Sequence, residues 1–229
     1  ASALQRLPLE QRWLPAMALL RHAQDESDPN LPTVLWYAVE PLADSHPGRF
    51  VGLAVGAKLA PVRRLMWRRA AAGSQELRDR LFLDMWVATE YQQEMLDECV
   101  RAIGEGAVMT PAGGSSSWAS TSRRLLESPD DAVRGAAAQI ALAFGDLDFA
   151  PFFRQRLLDR TLDPKQRIDA IGGLVRLRDP ETGKLLLEVL GEPALRGQAL
   201  AALASYDLPE VPDRILEVIG ELDPTTRQI

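Results

Sequence analysis

The chain has 229 residues, 46% of them apolar, and carries 26 basic against 32 acidic side chains for a formal charge of −6. These proportions suit a globular protein with a continuous core and exclude disordered and collagenous classes, while the acidic balance opposes general attraction to nucleic acid or an anionic membrane surface without excluding a local basic patch. No apolar run approaches the roughly 20 residues of a bilayer crossing, and Ala1–Arg6 does not lead into the apolar core of a signal peptide, so the chain records no compartment.

In chain order, apolar positions recurring at three and four residues predict helices over 9–24, 32–43, 47–58, 61–72, 75–88 and 90–103, with Pro8, Pro32, Pro47 and Pro61 at or near their starts. Residues 104–117 follow, with Gly104, Gly106, Gly113, Gly114 and the run Ser115 to Ser117, and that composition predicts a flexible inserted loop. Beyond it, short helices are predicted over 130–145, 148–160, 164–178, 180–191, 193–206 and 209–221, with a further start at 223.

Four segments of this second half open a helix alike. They are Asp130-Asp131-Ala132-Val133-Arg134, Asp163-Pro164-Lys165-Gln166-Arg167, Glu192-Pro193-Ala194-Leu195-Arg196 and Asp223-Pro224-Thr225-Thr226-Arg227, whose arginines stand 33, 29 and 31 residues apart. The acid is placed to accept hydrogen bonds from first-turn amides, and proline at the first helical position loses nothing by lacking its own. One helical hairpin per interval is the signature of a solenoid. The expected fold is all-α: a right-handed α-α superhelix of about six to seven hairpins. Residues 1–103 form divergent hairpins, 104–117 the insertion and 118–229 the regular repeats. Repeat-opening helices are rich in small residues, as at Gly135 to Ala138, Gly172-Gly173 and Ala199 to Ala204. Intervening helices carry Phe152, Phe153 and Leu185 to Leu187, which predicts a close-packed inner layer and a bulkier outer one. Ala60-Pro61-Val62-Arg63-Arg64 echoes the opening motif, with Arg64 standing 70 residues before Arg134, about two repeats. The start at Ala1 without Met, and the stop barely one turn into the fourth motif, predict a fragment of a longer polypeptide.

Three sets of residues invite a functional interpretation. Arg134, Arg167, Arg196 and Arg227, with Asp130, Asp163 and Asp223, form either a basic stripe or a structural ladder in which each arginine bridges to an acid of the adjacent repeat; the acidic surroundings favour the ladder. Lys58, Arg63, Arg64, Arg68 and Arg69 are five cations without an intervening acid. They make either a polyanion-binding interaction patch or a solvated face paired with carboxylates such as Asp79, Asp84 or Glu90, and the second is preferred. The third set is Asn30, Trp36, Tyr37 and Glu40 within Asp28 to Leu42. Glu40 in an apolar helix points either to a pocket or to an ion pair with Arg63 or Arg64, with Pro32 starting the helix and Trp36 and Tyr37 filling the core.

That segment, together with Ala1 to Pro8 upstream and Leu59 to Arg64 downstream, resembles the HEAT-like helical region of large multidomain proteins from planctomycetes and related bacteria. The resemblance covers residues 1–72 at motif level and 128–229 as general HEAT/armadillo pattern. It implies a helical segment lying between a sugar-dehydrogenase-like β-propeller and a c-type haem domain of a periplasmic or secreted protein, with catalysis outside this chain. The chain itself has no Cys-x-x-Cys-His and no propeller strands on which to place haem or substrate residues.

Catalytic alternatives are weak. Ser115 to Ser117 match neither a nucleophile elbow nor a P-loop. Cys99 is the sole cysteine and sits among Glu94, Asp97 and Glu98, whose charge discourages a thiolate. His22 and His46 are the only histidines, without carboxylates at ligand spacing, so no metal or cofactor is expected. The expectation is a non-catalytic scaffold that binds a protein or neighbouring domains of its own polypeptide. A HEAT-like DNA-repair glycosylase is disfavoured by the acidic balance.

Overall fold

The computed structural model describes residues 2–108 and 116–218, and among them every regular element is a helix. The chain divides into two compact units, Ala1–Phe144 and Gly145–Ile229. The boundary falls after the first regular repeat, not in the Gly/Ser-rich stretch.

The first unit contains α1 (Leu9–Leu19), α2 (Leu31–Val39), α3 (Leu42–Ser45), α4 (Pro47–Gly56), α5 (Ala60–Ala72), α6 (Gln75–Asp84), α7 (Gln92–Gly104), α8 (Ser116–Leu126) and α9 (Asp131–Phe144). The helix predicted over 9–24 ends at Leu19, and a 3-10 turn follows at Ala23–Ser27. The one predicted over 32–43 breaks after Val39, because Pro41 has no amide hydrogen to continue the ladder. Helix α2 starts at Leu31, where the Asp28 carboxylate accepts from the amides of Leu31 and Asn30, both at 2.8 Å. These bonds hold the Asp28 carboxyl below its ordinary pKa, Leu31 contributing most. Asp28, not Asn30, therefore supplies the side-chain cap.

Alternate helices of this unit pack on one another. Helix α5 packs on α7 and α7 on α9, while α4 packs on α6 and α6 on α8, and α4–α5, α5–α6 and α8–α9 contacts tie the two rows together. Phe50, Met66, Trp67, Leu81, Phe82 and Met85 lie wholly or almost wholly out of solvent between them. Helix α8 has no counterpart among the predicted elements. Its Ser117, assigned above to the loop, is buried and donates to Asp79, and Thr121 donates to the Phe82 carbonyl at 3.1 Å. Trp118 joins Phe82 and Phe144 in an aromatic cluster with ring centroids 5.0 to 6.0 Å apart.

The second unit contains α10 (Ala150–Leu158), α11 (Pro164–Leu177), α12 (Thr182–Val189), α13 (Pro193–Leu203) and α14 (Val211–Val218). Asp163 caps α11 in a full capping box, accepting from the Gln166 amide while the Gln166 side chain accepts from the Asp163 amide. Helix α11 packs on α10, α12 and α13, and α12 on α13. The small residues divide sharply. A Cβ on Gly173 would stand 2.7 Å from the Phe153 ring, so only glycine permits that approach, whereas one on Gly135 or Gly172 would meet nothing within 4 Å. The turn after α11 uses Arg178 in the left-handed region, at φ 55°.

Candidate functional site

The four described opening motifs share one contact. Arg63 donates to the carbonyl of Ala57 at the end of α4, Arg134 to Ser128 after α8, Arg167 to Leu157 at the end of α10, and Arg196 to Leu190 and Gly191 after α12. Each guanidinium thus reaches back to a carbonyl that the preceding helix leaves unsatisfied. In the first unit this role falls to Arg63 and not to Arg64, correcting the alignment of Arg64 with Arg134. Arg63 is 7% exposed, whereas Arg64 lies open to solvent.

What the arginines do with their remaining donors differs. Arg167 makes a two-pronged pair with Glu192, the acid that opens the next motif, at 2.5 and 3.1 Å. That pair draws the Glu192 pKa down, the hydrogen bond from Arg167 being the largest cause. Glu192 therefore makes no side-chain cap of its own helix. Asp130 does cap, accepting from the Ala132 amide at 2.9 Å. Arg134 pairs with Asp131 in its own first turn at 2.9 Å rather than with an acid of the next opening motif, a correction to the uniform ladder. Asp223 and Arg227 lie outside the described residues.

The five-cation stretch is neutralised side by side. Arg63 meets Glu94 at 2.8 Å and lies over the Tyr91 ring; Lys58 donates to the Tyr91 hydroxyl at 3.0 Å and faces Glu90 at 3.7 Å. Arg68 bridges Glu98 and Glu105 at 2.8 and 2.9 Å, and Arg69 bridges Glu40 and Asp44 at 2.7 and 2.8 Å. Arg64 has the loosest partner, Glu26 at 3.9 Å. Of the acids expected to face this stretch, Glu90 does. Asp79 accepts from Ser117, and Asp84 pairs with Arg80. Glu40 finds Arg69 in place of Arg63 or Arg64. Trp36 is half-buried, and Tyr37 is 62% exposed, so it does not fill the core. Cys99 is fully buried, and desolvation, with Glu98 beside it, pushes its thiol up to about 12.

The residues left open to a partner lie elsewhere, between α1 and α4. Trp13, Leu14 and Met17 of α1, with Arg21 just beyond it, line a recess of about 300 Å³ with Arg49, Gly52, Leu53 and Gly56 of α4. Positions 49, 52, 53 and 56 form one helical face, as do 13 and 17. Arg49 lies over the Trp13 ring at 4.3 Å, and the His46 ring meets the same indole edge-on at 5.9 Å. Leu14 is 70% and Met17 40% exposed. Neither Arg21 nor Arg49 has a carboxylate partner among the described residues. Sequence reasoning missed this recess, since Leu14 and Met17 have the spacing of ordinary core positions and only their placement beside two glycines leaves them uncovered. Among the described residues no cluster of three or more His, Cys, Asp or Glu side chains is placed to hold a metal ion, and no helix is long and apolar enough to cross a membrane. The chain matches no protein-family model, no curated protein and no solved structure.

Proposed function

We propose that this chain is a non-catalytic helical-repeat scaffold, a HEAT-like right-handed superhelical region that docks another protein or a neighbouring domain of the same polypeptide. The observation that supports it is the shared return contact of Arg63, Arg134, Arg167 and Arg196, each made from a repeat-opening helix to the end of the helix before it. One joint used four times is what a chain of repeated hairpins requires, and such chains offer extended surfaces without assembling a catalytic geometry. Pairing of every cation in the Lys58 to Arg69 stretch argues against a phosphate or nucleic-acid surface there.

Cross-linking mass spectrometry on the native complex tests the proposal. Cross-links from both described units to a second protein or domain are expected. An interface map in which this region touches nothing overturns it.

A further inference from the structure

We infer that the recess between α1 and α4 is the docking groove for an acidic amphipathic helix of a partner protein, a proposal that rests on the scaffold function and names the chemistry of its partner. Three observations converge there. First, the groove is apolar at its floor and on one lip: Trp13 and Leu53 are buried, while Leu14 and Met17 stay exposed. Large apolar side chains held open beside a recess mark an interaction site more often than scattered surface residues do.

Second, Gly52 and Gly56 stand one turn apart on the opposite wall, both exposed, and a Cβ on either would meet nothing within 4 Å. Glycine inside a helix costs roughly 0.5–1 kcal/mol relative to alanine, and at Gly173 the Phe153 ring accounts for it. At Gly52, as at Gly135 and Gly172, no neighbour within the chain does, but Gly52 alone of these lines a recess. A bare wall of this kind admits the backbone of an external helix to close packing distance.

Third, two cations stand at the rim of the groove. The chain carries −6 overall, and the five cations of the neighbouring basic stretch are each matched to an acid, yet Arg21 and Arg49 frame the groove without a carboxylate among the described residues. The nearby Glu10 faces the His46 ring at 3.6 Å. An occupant presenting an apolar stripe at helical spacing, with Glu or Asp on its flanks, satisfies the floor, the wall and both guanidinium groups together.

The test uses the whole chain and two fluorescein-labelled helical peptides of about 18 residues, with one Leu stripe in common and flanks of Glu in one and Lys in the other. Fluorescence anisotropy should show the Glu peptide binding at least about tenfold more tightly than its Lys twin. Gly52→Gln, which fills the wall, and Met17→Glu, which charges the lip, should each weaken it by about tenfold or more. Arg21→Glu with Arg49→Glu should reverse the preference; Arg49 lies in the first turn of α4, where an acid suits the helix dipole, and unchanged circular dichroism confirms folding. Equal binding of both peptides, binding of neither, or binding indifferent to Gly52→Gln overturns the inference. So does sedimentation showing a dimer that Gly52→Gln dissociates, which assigns the groove to a second copy, or calorimetry showing that dodecanoate binds where neither peptide does, which assigns it to a small amphiphile. Cross-links to a partner elsewhere on the chain, with no peptide binding, would fell this inference and leave the scaffold proposal standing.

Discussion

Arg167 binds the last turn of one helix and the residue just before another: its Nε donates to the Leu157 carbonyl at 2.7 Å while its two terminal nitrogens hold the Glu192 carboxylate. The residue is 6% exposed, so removing it strands a carbonyl in a partly dry joint and leaves the Glu192 carboxylate only Arg160, at 3.7 Å. Arg167→Met is expected to cost about 3 kcal/mol, read from urea unfolding. Arg167→Lys should recover only part, since an ammonium cannot make the fork to Glu192. A loss under about 0.5 kcal/mol for Arg167→Met would show that the joint does not depend on it.

The same pair sets a pH dependence. Arg167 holds the Glu192 pKa below its ordinary 4.5 in the folded state, so the contribution is fully present above 4.5 and is lost as the pH falls through the lowered folded value. Glu192→Gln should therefore flatten the acid limb of the stability curve below pH 4.5 while leaving its shape above that unchanged. Parallel acid limbs for the two proteins would contradict the linkage.

Arg68 and Arg64 are separated by one helical turn and should behave differently. Glu98 is 2% exposed, and with Arg68 removed its nearest remaining cation is Arg101 at 3.9 Å. Arg68→Ala is expected to destabilise by about 3 kcal/mol. Arg64→Ala, at an exposed site with a distant partner, should stay within about 0.5 kcal/mol. Equal, small effects would indicate that the stretch is a solvated surface.

Legibility in the sequence followed locality. The openings at Asp130, Asp163 and Pro193 were readable because capping and proline geometry are decided within four residues, and α9, α11 and α13 begin within a residue of the predicted starts. Which arginine of Arg63-Arg64 turns inward was not readable, because adjacent residues differ by about 100° on a helix and only the Ala57 carbonyl decides between them. Helix α8 was missed for a related reason: its Ser- and Thr-rich sequence has weak helical propensity, and burial of Trp118, Thr121 and Leu125 against other helices stabilises it. Partner choice in the ion pairs of Arg68 and Arg69 spans 25 to 37 residues, so Glu40 could be assigned an arginine but not Arg69.

Gly173 and Gly172 offer an internal comparison. Gly173→Ala forces the new methyl against the Phe153 ring and is expected to destabilise by about 1–3 kcal/mol. Gly172→Ala enters open space and should be neutral or stabilising by up to about 1 kcal/mol. Thermal unfolding of the two variants gives the contrast, and partial rescue of Gly173→Ala by Phe153→Leu locates the clash. Equal midpoints would show that α10 and α11 do not meet at this point.

Cys99 should resist labelling. Its thiol stays protonated at neutral pH and has no access to solvent, so reaction with a disulfide reagent should be at least about a hundredfold slower than in denaturant. Rapid stoichiometric labelling of the folded chain would mean that α7 opens readily.

Every amino acid carries a main-chain carbonyl, and this bears on the return contact made by Arg63, Arg134, Arg167 and Arg196. Ala57, Ser128, Leu157 and Leu190 can each be exchanged for another residue without removing the acceptor. A joint that asks for a named side chain on one partner only lets successive hairpins diverge in spelling while they keep the same seam, provided the turn between them keeps its length.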